Sequence, residues 1–331
     1  MIGHSHQHVD GPLLEVRNLH VRFATPEGEV HAVDDLGFSL APGETLGLVG
    51  ESGSGKTQTA HALLGLLPDN GKATGNVRYA GEEILNLPEK RLNRIRGAGI
   101  AMVFQDPMSS LNPHLRVGPQ LSEALTAHQA VDGRRAREAA RSMLDAVHLA
   151  NPDACLRAYP HELSGGMRQR VMIAMALICR PRVLIADEPS TALDVTVQQR
   201  ILELLGELRR ELGLALLLIT HDLGVVAGSC DRVLVMYGGR TMEEGTVDDI
   251  FYRPHHPYTR GLLGALPRVD TAGVSRMRAI PGQPPSQLEP LPGCPFHDRC
   301  DWRFEPCKLQ RPPLEPVAAG HRKACHLERL P

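Results

Sequence analysis

The sequence predicts an α/β layered fold with an inserted helical subdomain and a small irregular, cysteine-bearing C-terminal extension. Three observations predict it. Up to about residue 266, short buried-strand runs alternate with amphipathic helical patterns. From about residue 106 to 162 the patterns are helical, with no strong strand signal. Eleven of the 26 prolines then crowd between Pro281 and Pro331, so that stretch cannot be mostly helix or sheet.

The elements follow in order. Residues 1–11, with His4, His6 and His8, read as a flexible tail. Thr45 to Val49 is a buried strand, a Gly-rich turn follows, and a helix runs from about Lys56 to Leu66. Within the helical insertion, Arg134 to Leu149 has the clearest pattern; Asn151-Pro152 and Tyr159-Pro160 punctuate its end. Val183 to Asp187 is a second strand, ending in acid. Val197, Ile201, Leu204, Leu205, Leu208 and Leu212 share one helical face. Leu214 to Ile219 and Arg232 to Tyr237 complete the strands. The expected division is a tail, an α/β domain over 12–266 and an extension over 267–331.

Composition narrows the function. Lys plus Arg total 36 and Asp plus Glu 38, a net charge of −2, which argues against a polyanion-binding surface as the dominant theme and hence against nucleic acid as partner. The longest apolar run, Val171 to Cys179, has nine residues, against the roughly 20 that a membrane helix needs. The N-terminus has no apolar signal core.

Three segments carry chemistry. Gly50-Glu51-Ser52-Gly53-Ser54-Gly55-Lys56-Thr57 fits the phosphate-loop pattern in full, between a strand and a helix. Glycines let successive N–H groups converge on phosphate oxygens, and the helix start adds its dipole. Lys56 would reach the β- and γ-phosphates and Thr57 would ligate magnesium. Asp187, at a strand end, offers magnesium a second hard oxygen. Glu188 follows, placed to orient or polarise an attacking water. Gln105, in Val103-Phe104-Gln105-Asp106-Pro107, and His221, in Thr220-His221-Asp222, each look bland alone. Their spacing raises them, with His221 as a contact for the γ-phosphate and Glu188.

Leu163-Ser164-Gly165-Gly166-Met167, with Arg168-Gln169-Arg170 after it, joins these pieces into one pattern. Phosphate loop, Gln105, signature, Asp187-Glu188, Thr191-Ala192-Leu193-Asp194 and His221 occur in the order of ATP-binding cassette (ABC) ATPases, which residues 13–266 resemble. Met167 stands where the family usually has Gln. The resemblance implies a P-loop ABC ATPase core and head-to-tail dimers, in which the Ser164 loop and the Asp194 loop face the partner's nucleotide. It also implies magnesium as cofactor, with Gln105 among its contacts, and Phe23 stacked on adenine. As a strand residue, Phe23 is otherwise simply packed.

A narrower likeness covers nearly the whole chain. Phe104 to Pro113, His256-Pro257-Tyr258-Thr259-Arg260 and Gly293-Cys294-Pro295-Phe296-His297-Asp298-Arg299-Cys300 resemble the dipeptide/oligopeptide importer ATPases, a group that includes nickel and glutathione importers. The resemblance implies an ATP-hydrolysing subunit peripheral to the cytoplasmic face of the inner membrane. Its implied partners are a second cassette, two integral-membrane permease subunits and, indirectly, an extracytoplasmic substrate-binding protein. The rivals are a soluble cassette ATPase, an exporter and a regulatory module. Only 131 positions separate Lys56 from Asp187, without heptads, which excludes a long coiled-coil insertion.

Cys294, Cys300, Cys307 and Cys325 follow a C-x5-C-x6-C-x17-C spacing. Reduced thiols clustered in an irregular segment point to a metal centre. Zinc would take all four, but its sites usually contain close pairs, absent here. The wide spacings suit a [4Fe–4S] cluster better, and the importer resemblance is consistent with one. Zinc and no metal remain the alternatives, with His297, His321 and His326 as substitute ligands.

Overall fold

In the computed structural model, which describes residues 11–106, 110–189, 194–266, 280–288 and 291–330, two β-sheets organise the chain. The N-terminal part lays down β1 (Leu14–Thr25), β2 (Gly28–Leu40), β3 (Thr45–Val49), α1 (Lys56–Leu63), β4 (Gly71–Tyr79), β5 (Glu82–Glu83), α2 (Glu89–Ile95) and β6 (Ile100–Val103). A helical stretch follows: α3 (Val117–Thr126), α4 (Gly133–Ala146), α5 (Pro152–Arg157) and α6 (Gly165–Leu177). The chain then alternates through β7 (Val183–Asp187), α7 (Val195–Leu212), β8 (Ala215–Thr220), α8 (Leu223–Ala227), β9 (Arg232–Tyr237), β10 (Arg240–Thr246), α9 (Val247–Tyr252) and α10 (Pro257–Gly264). Only α11 (Glu305–Leu309), β11 (Glu315–Ala318) and β12 (His321–Lys323) are helix or strand of more than a single 3₁₀ turn beyond that, among the described residues, as the proline density requires.

The larger sheet has the order β11-β12-β10-β9-β3-β8-β7-β6. Its β9-β3-β8-β7-β6 part is parallel. A parallel sheet is covered on both faces, so its strands read as continuous apolar runs, and β3, β7 and β8 are wholly buried. Strand alternation then divides the cover. Ala215, Leu217 and Ile219 of β8 pack with Leu14, Val21 and Leu36 of the smaller sheet. Leu216 and Leu218 pack with the helices, against Leu121, Leu144, Ile173 and Leu205. The extension docks on the sheet's far end, where β12 pairs with β10 in the register Glu243↔Lys323.

The smaller sheet, β2-β1-β4-β5, is antiparallel and interrupts the strand–helix alternation expected up to residue 266. Its pattern is weak in sequence because the β1–β2 register shifts three times and Asn18 takes a positive φ of 48°, so alternation does not persist. Two helix ends also differ. α1 stops at Leu63 rather than Leu66, since Gly65 has φ 62°. α4 ends at Ala146, just ahead of His148 at φ 58°. Asn151 caps α5 by accepting from Ala154 N–H, with Pro152 at the first position. Most of the expected tail, residues 1–10, lies outside the described residues, as do 107–109, 190–193 and the start of the expected extension at 267.

Candidate nucleotide site

Neighbouring parallel strands end side by side, which is where open α/β sheets bind ligands. Val49 pairs with Thr220, Asp187 with Ile219 and Val103 with Ala186. The residues just past those pairs are Gly50, His221, Glu188 and Gln105. Segments far apart in the chain are therefore brought to one end of the sheet by register alone.

The loop Gly50–Gly55 leaves β3 and curls into α1. Two glycines are dictated by sterics: a Cβ on Gly50 would meet the Met236 carbonyl at 2.2 Å, and one on Gly55, whose φ is 97°, would meet the Ala32 carbonyl at 2.2 Å. Ser52 and Gly53 are exposed, while Ser54, Gly55 and Lys56 are buried. Lys56 folds back over the loop, its Nζ donating to the carbonyls of Gly50 (2.8 Å) and Glu51 (3.0 Å). Burial lowers the Lys56 pKa, opposed by the nearby Glu188, Asp187 and Glu51 carboxylates. Thr57 Oγ1 donates to Asp187 Oδ1 at 3.2 Å. Two of the three residues expected to contact magnesium, Thr57 and Asp187, thus touch each other. Burial raises the Asp187 carboxyl to about 6.

Glu188 is gripped from two sides. Gln105 Nε2 donates to its Oε2 at 3.1 Å, and His221 Nδ1 lies 3.2 Å from its Oε1. Its backbone takes φ 45°, unusual for a non-glycine residue, and its N–H donates to the Ile219 carbonyl. The three residues named from separate motifs form one cluster.

The signature opens α6. Ser164 caps α6 by accepting from Met167 N–H at 3.3 Å; that bond does not reach the phosphate loop. Leu163 is buried, Met167 is exposed, and a Cβ on Gly166 would come 3.1 Å from Val197. Val197 in turn donates its N–H to the Asp194 side chain, the cap of α7. Signature and Asp194 are neighbours on one surface, with Thr191, Ala192 and Leu193 outside the described residues. Gly165 opens α6 behind Ser164. Phe23 is half-buried on β1, its ring against Gly71.

The ABC transporter family profile matches residues 33–191, and the oligopeptide/dipeptide transporter C-terminal region matches 242–307. The oligopeptide transport ATP-binding protein OppD of Salmonella typhimurium is 58% identical over 313 residues, covering 95% of this chain and 93% of that one. The chain belongs to the ABC transporter family. The dipeptide transport ATP-binding protein DppD of Bacillus subtilis is 49% identical over 96% of this chain and 95% of its own. Among solved structures, the dimeric bacterial ABC transporter cassette MJ0796 superposes with a TM-score of 0.63 at 28% identity, over 71% of this chain and 98% of its own. MJ0796 has also been seen dimeric in a post-hydrolysis state bound to ADP and Pi, at 27% identity to this chain. In this cassette no described helix is long and apolar enough to cross a membrane.

In this ABC protein the four clustered cysteines line one small cavity, together with His256, Phe296 and Trp302. All four are free thiols. Burial raises the Cys294 thiol to about 12 and also raises Cys300 and Cys325. Among the described residues no group of three or more His, Cys, Asp or Glu is arranged to hold a metal ion. Of the histidines named as substitute ligands, His297 and His326 also line this cavity. His297 Nδ1 meets the Cys294 carbonyl, His321 Nε2 meets Glu243, and His326 Nε2 meets the Gln310 carbonyl.

Three contacts to the phosphate loop had no signal in the sequence. Tyr258 Oη accepts from Glu51 N–H at 3.0 Å, Gln287 Nε2 donates to the Gly53 carbonyl at 2.7 Å, and Arg299 pairs with the Glu51 carboxylate. They join residues more than 200 positions apart, which no local pattern encodes.

Proposed function

We propose that this chain is the ATP-hydrolysing subunit that powers import of di- or oligopeptides through a membrane permease. The observation that carries the reading is Glu188 held between Gln105 and His221 beside the Lys56 loop, in a chain alike to OppD along nearly its full length. Catalysis is positioning plus charge stabilisation. The amides of Gly50 to Gly55 and Lys56 take the phosphates, and Phe23 stacks on adenine. Magnesium would be held by Thr57 and Asp187 with Gln105 nearby, and would supply positive charge at the phosphates; the touching Thr57 and Asp187 oxygens suit it. Glu188 orients the attacking water, and His221 and Gln105 hold Glu188. Leu163, Ser164, Gly165, Gly166, Met167 and Asp194 face the nucleotide of a second cassette. ATP joins the two cassettes, and hydrolysis releases them.

The closure passes to two integral-membrane permease subunits from the cytoplasmic face of the membrane, and a substrate-binding protein delivers peptide on the other side. The working division is an ATPase domain over 12–266 and an extension over 267–331. Pull-down from gently solubilised membranes tests the reading. Two multi-span proteins and a second cassette are expected; recovery from the soluble fraction alone, with no membrane partner, overturns the transporter role.

The extension is proposed to hold a [4Fe–4S] cluster, with zinc as the alternative. Its support is the meeting of Cys294, Cys300, Cys307 and Cys325 at one cavity. Anaerobically purified protein should be brown and contain iron and sulfide; colourless protein lacking both refutes the cluster, and zinc in its place selects the alternative.

A further inference from the structure

Arg299 belongs to the cysteine-bearing extension, yet its side chain ends in the phosphate loop. It is 6% exposed and forms a two-pronged pair with Glu51, Nη1 to Oε2 at 2.7 Å and Nη2 to Oε1 at 3.1 Å. Its other donors reach Tyr237 Oη (3.0 Å) and the carbonyls of Pro281 (2.9 Å) and Ile280 (3.0 Å). All five guanidinium N–H groups are therefore used. The guanidinium also lies 5.6 Å from the Tyr237 ring centre, and Tyr237 meets Phe296 edge-on at 5.3 Å. Arg299 sits in the 3₁₀ turn His297–Arg299, between Cys294 and Cys300, and Cys294 N–H donates to the Cys307 carbonyl.

We propose that Arg299 is a positioning residue for the phosphate loop, and that through it the cysteine pocket sets the affinity for ATP. A loop that receives a polyanion gains nothing from its own carboxylate unless that charge is neutralised. Unpaired, Glu51 would repel the phosphates it adjoins. The Arg fork cancels the charge and fixes the side chain in one geometry. Because Arg299 adjoins Cys300 and leans on Tyr237, which packs on Phe296 of the cavity wall, a rearrangement at the four cysteines moves the fork and so the loop. The inference rests on the ATP site being the one proposed above.

The test is titration calorimetry of the purified full-length chain with MgATP. Arg299→Ala should weaken binding by about tenfold, which corresponds to about 1.4 kcal/mol. Arg299→Lys should recover part of it. In a Glu51→Gln background the Arg299→Ala penalty should shrink, because no charge is left to neutralise. Coupling is reciprocal, so MgATP should slow amide hydrogen exchange across residues 294–310 in the wild type and not in Arg299→Ala. A merely structural role would lower the melting temperature without that linkage. Unchanged affinity in Arg299→Ala, an equal penalty in both backgrounds, or ATP protection that persists without the arginine overturns the proposal alone. No ATP binding by the wild type overturns the site and the proposal together. If Arg299→Ala does not fold, the same cycle is run with Arg299→Lys.

Discussion

Glu188→Gln isolates a charge while sparing the geometry. The side chain is 13% exposed and bonded on both oxygens, to Gln105 Nε2 at 3.1 Å and His221 Nδ1 at 3.2 Å. A glutamine of the same shape keeps both contacts: its carbonyl accepts from Gln105, and its amide donates to His221 in the tautomer with Nδ1 free. What disappears is the negative charge next to the attacking water. A positioned base or water-orienting carboxylate contributes about 10²–10⁴-fold in rate, equivalent to about 3–5 kcal/mol of barrier. Phosphate release should fall by that factor. Because Lys56 and the loop amides are untouched, ATP affinity should stay within about threefold, and Lys56 loses one carboxylate that raises its pKa. Binding without turnover should trap a closed pair, read as an ATP-dependent shift to dimer on gel filtration. Wild-type turnover with normal magnesium dependence would remove Glu188 from the chemistry and refute the reasoning.

Lys56→Ala should act on binding: with the ammonium that spans the Gly50 and Glu51 carbonyls gone, ATP affinity should drop by about tenfold or more, measured by calorimetry. Gly55→Ala combines a φ of 97° with a backbone clash, whereas Gly53→Ala, at φ 79°, meets nothing within 4 Å. The first should cost about 2 kcal/mol or more in urea unfolding and the second about 1 kcal/mol; equal costs would discount the Ala32 contact. Acid perturbs a buried histidine. His256 is fully buried, and burial pushes its pKa from 6.5 to about 4. Below pH 6.5 the unfolded chain takes up a proton that the folded chain refuses, so this stabilisation is complete above 6.5 and declines toward about 4, by up to roughly 1.4 kcal/mol per pH unit. Urea midpoints at pH 7.5 and 5.0 should differ more for the wild type than for His256→Asn, which retains an acceptor for Tyr258 N–H.

The sequence by itself determined whatever depends on near neighbours along the chain. The phosphate loop needs glycines at fixed offsets from Lys56, a buried strand needs an unbroken apolar run, and a cap such as Asp194 or Asn151 sits within three residues of the N–H it accepts from. Hence β3, β7, β9, α7 and the motif residues were legible before any coordinate. The bulged antiparallel sheet was not, because register shifts erase alternation. Tertiary structure alone decided which separated groups meet. Parallel register carries Gln105, Glu188 and His221 to one end of the sheet, and the packing of α10 and of the extension brings Tyr258, Gln287 and Arg299 onto the loop. Those contacts are fixed by how sheets and segments pack, a property of the whole chain that no stretch of residues contains.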